Sequence, residues 1–192
     1  MRSDARSNRL RILEAAAEVL AASGDTSFKS IARRAGVGQG TLYRHFPTRE
    51  SLVLQVYGNE VDAMVGAVPA LLDVLAPQLA LRAWLERLLY LGRSTPEFAD
   101  AMSLATGVPS EQCSPAYLLL LDALSALVKA NEAAGTIVEG TTADDVLLLL
   151  VPLWHICAQD EDRARRLRLF DLLMRGLCPS GPESSSRPVR GQ

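Results

Sequence analysis

Between Thr26 and Thr48 the sequence TSFKSIARRAGVGQGTLYRHFPT leaves the chain few choices. Phe28, Ile31, Ala32 and Ala35 recur at the three- and four-residue spacing of one helix face, and Thr26 or Ser27 can cap that helix. Gly36 is its natural stop. After Gly36-Val37-Gly38 a short helix fits Gln39 to His45. Pro47 forbids its continuation, because proline has no N–H to give and restricts the residue before it. Thr48 then caps the next helix. Helix, glycine-containing turn, short helix is the helix-turn-helix arrangement, whose second member enters the major groove of DNA.

The face that this second helix would show to DNA follows from the helical step. At about 100° per residue, with Leu42 at 0°, Phe46 falls at about 40°, so the two apolar side chains anchor the helix inward. Gly40 and Arg44 both fall near 200°, facing out, with Thr41 and Tyr43 on the flanks and His45 about half inward. Gly40 has no side chain to hold the backbone away from the groove, and the Arg44 guanidinium matches guanine O6 and N7 or a phosphate. Gln39, in the first turn, can both donate to and accept from an adenine edge. Thr41, Tyr43 and His45 lie where the bordering phosphates would run, and Lys29, Gly38 and Arg49 complete the expected DNA-contacting set. Basic flanks, an outward Arg44 and the Tyr43 and His45 pair argue against a purely structural helix-turn-helix, and an adaptor that binds protein would turn apolar residues outward. Here those positions hold glycine and arginine.

The runs ILEAAAEVL, SFKSIARRAGVGQGTLYRHF and RESL, within residues 10 to 52, resemble the tetracycline-repressor (TetR) family of bacterial transcriptional regulators. The resemblance implies an all-α homodimer, an amino-terminal three-helix DNA-binding domain and a larger helical-bundle domain that binds a small effector and dimerises. It implies phosphate contacts for Thr41, Tyr43 and His45, and base-facing roles for Gln39, Gly40 and Arg44. Where the family often has a serine or threonine cap, this chain has Gly38, which brings no side-chain oxygen. The domain limits expected are 1–47 for DNA binding, 48–178 for effector binding and dimerisation, and 179–192 as a disordered polar tail.

Charge divides the chain in the same way. Residues 1–50 hold nine Lys and Arg against five Asp and Glu, whereas residues 51–162 hold four against fifteen. A basic, anion-binding head is thus joined to a body that the same anion repels, and the acidic surplus favours a cationic or neutral effector. Leu and Ala, 32 and 26 in number, outweigh Val and Ile, 14 and 4, which favours helix over sheet. Cys113, Cys157 and Cys178 are too scattered for a disulfide framework or a metal site, and a reducing compartment fits them. The polar amino terminus lacks the apolar core of a signal peptide, and the longest uncharged apolar stretch, residues 146 to 159, is too short to span a bilayer. A cytoplasmic protein without membrane attachment is expected.

In the first helix Leu10, Leu13, Ala17 and Leu20 mark the expected inner face. A single helix is expected from Thr48 to about Val68, ending near Pro69, with Leu52, Val56 and Val61 facing inward. Further helices are expected over Leu79–Arg93, Pro96–Thr106, Pro115–Ala134, Thr142–Ala158 and Asp160–Cys178. Thr142 and Asp145 approximate a capping box, and Pro152 should kink its helix. The last two helices each have more than one apolar face and are expected to form a four-helix homodimer interface. Trp84, Met102, Tyr117, Trp154 and His155 are the candidate lining of an effector pocket for an unidentified small molecule. No cofactor and no metal is expected, since His155 and Cys157 have no third ligand at a workable spacing. An all-α enzyme is disfavoured because the body has one histidine and no pattern that would bring acid, base and nucleophile together.

Overall fold

The computed structural model describes residues 2–22, 25–158 and 163–179. Among these the chain is all-α: α1 (Arg2–Ala21), α2 (Phe28–Ala35), α3 (Gln39–His45), α4 (Arg49–Val56), α5 (Gly58–Val74), α6 (Pro77–Ser94), α7 (Pro96–Ala105), α8 (Pro115–Ala133), α9 (Ala143–Ala158) and α10 (Arg163–Gly176), with a 3-10 turn at Ser110–Gln112. The expected start of the last helix at Asp160 and the tail beyond Pro179 lie outside the described residues, as does Gly24, the glycine expected to stop the first helix.

Two apolar clusters hold these helices. The smaller one gathers Ile12, Ala15 and Ala16 of α1, Ile31, Ala32 and Ala35 of α2, Leu42 and Phe46 around α3, and Leu52 of α4. The larger contains Val53 and Leu54 of α4, Leu20 of α1, and the inner faces of α5 to α10. Because α4 sends Leu52 one way and Val53 and Leu54 the other, the head cannot tilt on the body without moving α4. Its amino terminus is fixed by a capping box: Ser51 N–H donates to Thr48 Oγ1 (3.1 Å) and Thr48 N–H to Ser51 Oγ (3.4 Å). The expected cap of α9 also forms, with Asp145 N–H on Thr142 Oγ1 (3.2 Å) and Thr142 N–H on Asp145 Oδ2 (2.9 Å).

Two expectations are corrected. The inner face of α1 is Ile12, Ala15, Ala16 and Leu20, while Leu10 is 53% exposed and Ala17 is exposed. Both stripes have helical spacing, and they lie about 100° apart on the helix. What selects Ile12 is its partner, the Ile31-Ala35 face of α2, which periodicity in α1 alone does not contain. Second, the helix expected from Thr48 to Val68 is two helices, broken at Tyr57 (φ −88°, ψ 26°). The step from Val56 to Val61 is five residues, about 140° out of phase, and the chain breaks where the stripe slips. The break frees α4 to serve the head and α7, and α5 to pack on α6 and α8.

Pro69 does not end α5, which runs to Val74. Both Pro69 and Pro152 sit on the exposed side of their helices, where water can reach the carbonyl each leaves without its helical N–H. Burial of Leu71, Leu72 and Leu75 beyond Pro69 favours continuation. One buried polar side chain was not foreseen. Asn131 donates to the Pro77 and Leu127 carbonyls (both 2.8 Å) and accepts from Thr136 Oγ1 (2.8 Å), which ties the start of α6 to the end of α8.

Candidate nucleic-acid interface

The placement of α3 starts from the two ends of α2. Ser27 caps α2, its hydroxyl accepting from Ser30 N–H (3.2 Å). At the far end Gly36 takes a left-handed conformation (φ 63°), and Val37 N–H reaches back to the Ala32 carbonyl (3.0 Å). Arg11 Nη2 donates to the Ala35 carbonyl (2.6 Å), locking this turn from α1. A methyl on Gly36 would come within 2.7 Å of that guanidinium. The chain then enters α3 at Gly38, which caps without a side-chain bond, its carbonyl accepting from Thr41 and Leu42 N–H (2.9 and 3.1 Å).

Leu42 is fully buried and Phe46 is 2% exposed, as their spacing requires. This pins α3 and leaves Gln39, Gly40, Tyr43 and Arg44 exposed, with Thr41 and His45 half-buried. The Arg44 Nε–H donates to the Gly40 carbonyl (3.0 Å) and Nη2 to Thr41 Oγ1 (3.3 Å), so the guanidinium lies along its own helix on the Gly40 side. Beyond its own turn of helix, no atom of the described residues lies within 4 Å of where a Gly40 Cβ would stand. The Tyr43 ring leans on Phe28 (centroids 5.1 Å, 55°), which holds its hydroxyl toward solvent beside the amino-terminal turn of α2, where Lys29 is exposed.

Not every basic side chain of the head belongs to this surface. Arg9 lies over the Phe46 ring (5.1 Å) and donates to Gln55 Oε1 (3.1 Å). Arg34 pairs with Glu18. Arg49 is half-buried and bonds the Thr26 carbonyl and Oγ1, the latter at 3.0 Å, tying α4 to the start of α2. At the rim, Asp25 accepts from Ser27 N–H (2.9 Å) and Oγ (3.0 Å), and these bonds hold its carboxyl below the usual range.

Of the five candidate effector-pocket residues, four are in the body core. Trp84, Met102, Tyr117 and Trp154 are at most 1% exposed. Trp84 Nε1–H donates to the Met64 carbonyl (2.9 Å). Among the described residues Tyr117 Oη and Trp154 Nε1 are buried with no hydrogen-bond partner. The Thr106 hydroxyl, near Tyr117, gives its proton to the Met102 carbonyl (2.8 Å), and burial raises the Tyr117 pKa. His155 stands apart from these four: its side chain is exposed and meets Ser103 Oγ at 3.0 Å. It follows Trp154 by one residue, about 100° around α9, which turns it off the core. Among the described residues no group of three or more His, Cys, Asp or Glu side chains could hold a metal ion, and no helix is long and apolar enough to cross a membrane.

Comparison with known proteins agrees with this geometry. Residues 12–56 match the model for bacterial regulatory proteins of the tetR family, and residues 76–179 match that for the carboxy-terminal domain of SbtR-like transcriptional regulators. A helix-turn-helix-type transcriptional regulator of Staphylococcus aureus is 39% identical over 67 residues, 34% of this chain and 36% of that protein, so the chain matches about a third of such curated relatives' length. The crystal structure of a TetR transcriptional regulator from Streptomyces coelicolor is 38% identical, over 90% of this chain and 99% of that one, with a TM-score of 0.56. A Thermus thermophilus TetR-family repressor, crystallised with lauroyl-CoA, shares the fold at 20% identity (91% and 97% covered, TM-score 0.63). A helix-turn-helix head on a helical body, each matched to its own model and both matched together in one solved relative, makes this chain a member of the TetR family of transcriptional regulators.

Proposed function

We propose that the chain is a ligand-responsive repressor that binds a palindromic operator as a homodimer in the cytoplasm and is released by a small-molecule effector. The observation that carries this reading is the α3 face: a helix pinned by Leu42 and Phe46 that turns an unobstructed Gly40 and the Arg44 guanidinium to solvent. Two such helices about 34 to 36 Å apart enter successive major grooves. Gln39, Gly40 and Arg44 read base edges, and Lys29, Thr41, Tyr43 and His45 meet phosphate, with Gly38 giving the backbone close approach. Arg49 acts through its bond to Thr26, which holds the start of α2 in place.

The dimer is supported by apolar surface that the described residues leave uncovered. Leu148 and Leu149 on α9 are 53% and 54% exposed, and Leu172 on α10 is 61% exposed. The body core is the proposed effector site, because the unpartnered Tyr117 hydroxyl and Trp154 indole N–H are donors that an effector's acceptor would satisfy. Met102 lies on α7, which packs against α4, so an effector that displaces α7 moves the head. The affinity lost on DNA then equals the effector's preference for the displaced state. The lauroyl-CoA of the Thermus protein is that protein's ligand; at this identity only the fold is shared.

The test is a retardation assay on the DNA upstream of the protein's own gene, against scrambled DNA. Arg44→Ala is expected to weaken operator binding by about 1–3 kcal/mol and to relax discrimination at one position, whereas Tyr43→Phe weakens all sequences alike. An equal loss on both DNAs for Arg44→Ala removes its base-reading role. For the dimer, Leu148→Glu with Leu149→Glu is expected to give a monomer in sedimentation at micromolar concentration, since buried unpaired charge is costly. A double variant that still sediments as a dimer places the interface elsewhere.

A further inference from the structure

Arg82 ties helix α6 to α10. Arg82 Nη2 bonds Asp171 Oδ1 (2.7 Å), its guanidinium lies 5.2 Å from the Phe170 ring centroid, and its Nε–H reaches Glu86 Oε1 (2.9 Å). Beyond that tie, toward the end of α6 and the start of α10, a groove of about 230 Å³ opens between the two helices. Its apolar surface is Leu89, Leu167 and Phe170. One wall is Tyr90, 63% exposed, with the Arg93 guanidinium 5.3 Å from its ring centroid. Arg163 and Arg166 complete the rim.

Among the described residues the groove is lined by the guanidinium groups of Arg93, Arg163 and Arg166 and by one carboxylate. That carboxylate, Glu86, is already bonded to Arg82. A cleft that joins an apolar surface and an aromatic wall to guanidinium groups matches a ligand with a flat apolar part and one anionic end. Its volume, small beside that of ordinary drug-sized pockets, suits a flat part of one ring or two fused rings.

We propose that the α6–α10 groove is a binding site for a small aromatic carboxylate. The ring lies on Leu89, Leu167 and Phe170 against Tyr90, and the carboxylate accepts from Arg93 and Arg163. The site is separate from the core set of Trp84, Met102, Tyr117 and Trp154, and it does not depend on the DNA-binding reading. Nor would the proposed dimer cover it. Arg163 and Leu172 are nine residues apart, about 180° around α10, so a partner seated on Leu172 leaves the groove open.

The experiment is equilibrium dialysis of the full-length protein with 1-naphthoate, uncharged 1-naphthamide and inorganic phosphate. Naphthoate is expected to saturate one site per chain, with naphthamide and phosphate each at least about tenfold weaker, because each lacks one half of the recognition. Arg93→Gln with Arg163→Gln should weaken naphthoate at least about tenfold, and Tyr90→Ala should weaken it with both arginines intact. Arg175→Gln, at the other end of α10, should not change it. These side chains lie on the surface, so the variants fold, and unchanged circular dichroism melting verifies this. Naphthamide binding as tightly as naphthoate, indifference to the double arginine variant, or no saturable binding overturns the proposal.

Discussion

Replacing Gly40 with leucine is expected to leave the chain at least as stable as the wild type while cutting operator affinity at least about a hundredfold, the equivalent of two base or phosphate contacts at about 1–3 kcal/mol each. Beyond its own turn of helix, no described residue comes within 4 Å of the Gly40 Cβ position, so the folded chain has room for the side chain. Leucine also favours a helix over glycine by nearly 1 kcal/mol, so thermal melting should rise, not fall. The cost appears only against DNA. The new isobutyl group stands on the same side of α3 as Arg44, whose Nε–H reaches the Gly40 carbonyl, and it holds the backbone away from the groove floor. Gly66→Leu is the control. It is an equally open, exposed position within α5, far along the chain from the head, and it should gain stability with no effect on DNA. Fluorescence anisotropy on upstream DNA and melting of the three proteins decide the matter. A Gly40→Leu variant that binds operator like wild type means that α3 does not face the groove.

Helix α3 was legible because the signals that place it in the sequence are local. Leu42, Phe46, Pro47 and Thr48 lie within seven residues, and their roles follow from one period, one missing N–H and one cap. The Thr142–Asp145 cap was readable for the same reason. What failed depended on partners far along the chain. The inner face of α1 was chosen by Ile31 and Ala35 of α2, and a second stripe of equal periodicity competed with it. Arg9, Arg11 and Arg49 carry the charge expected of a DNA-binding head, yet they reach Gln55, Ala35 and Thr26, 46, 24 and 23 residues away. Composition counts such side chains as surface charge, although the fold uses them as ties. The break at Tyr57 was written in the sequence as a five-residue step, a signal that only a strict reading of phase recovers. Exposure of His155, beside buried Trp154, follows from the same rule.

The largest effect on stability is expected at Trp84. Its side chain is fully buried between α5 and α6, with its indole N–H on the Met64 carbonyl (2.9 Å). Trp84→Ala should cost about 3–5 kcal/mol, a large part of the roughly 5–15 kcal/mol that holds an ordinary domain together. The sharper comparison is between Trp84→Phe and Trp154→Phe. Both residues are at most 1% exposed, but the Trp154 N–H has no acceptor and its Nε1 lies 2.4 Å from where a Gly92 Cβ would stand. Phenylalanine at 84 removes a satisfied hydrogen bond; at 154 it removes a donor already desolvated without return. Trp84→Phe should therefore be costlier by about 1–2 kcal/mol in urea denaturation at equal transition slope. Equal losses would mean that the Trp154 N–H is satisfied in solution, and would take away one of the two donors on which the proposed effector site rests. If instead Trp154→Phe is nearly neutral in the free protein, the indole N–H contributes little to folding, and that donor is available to a ligand.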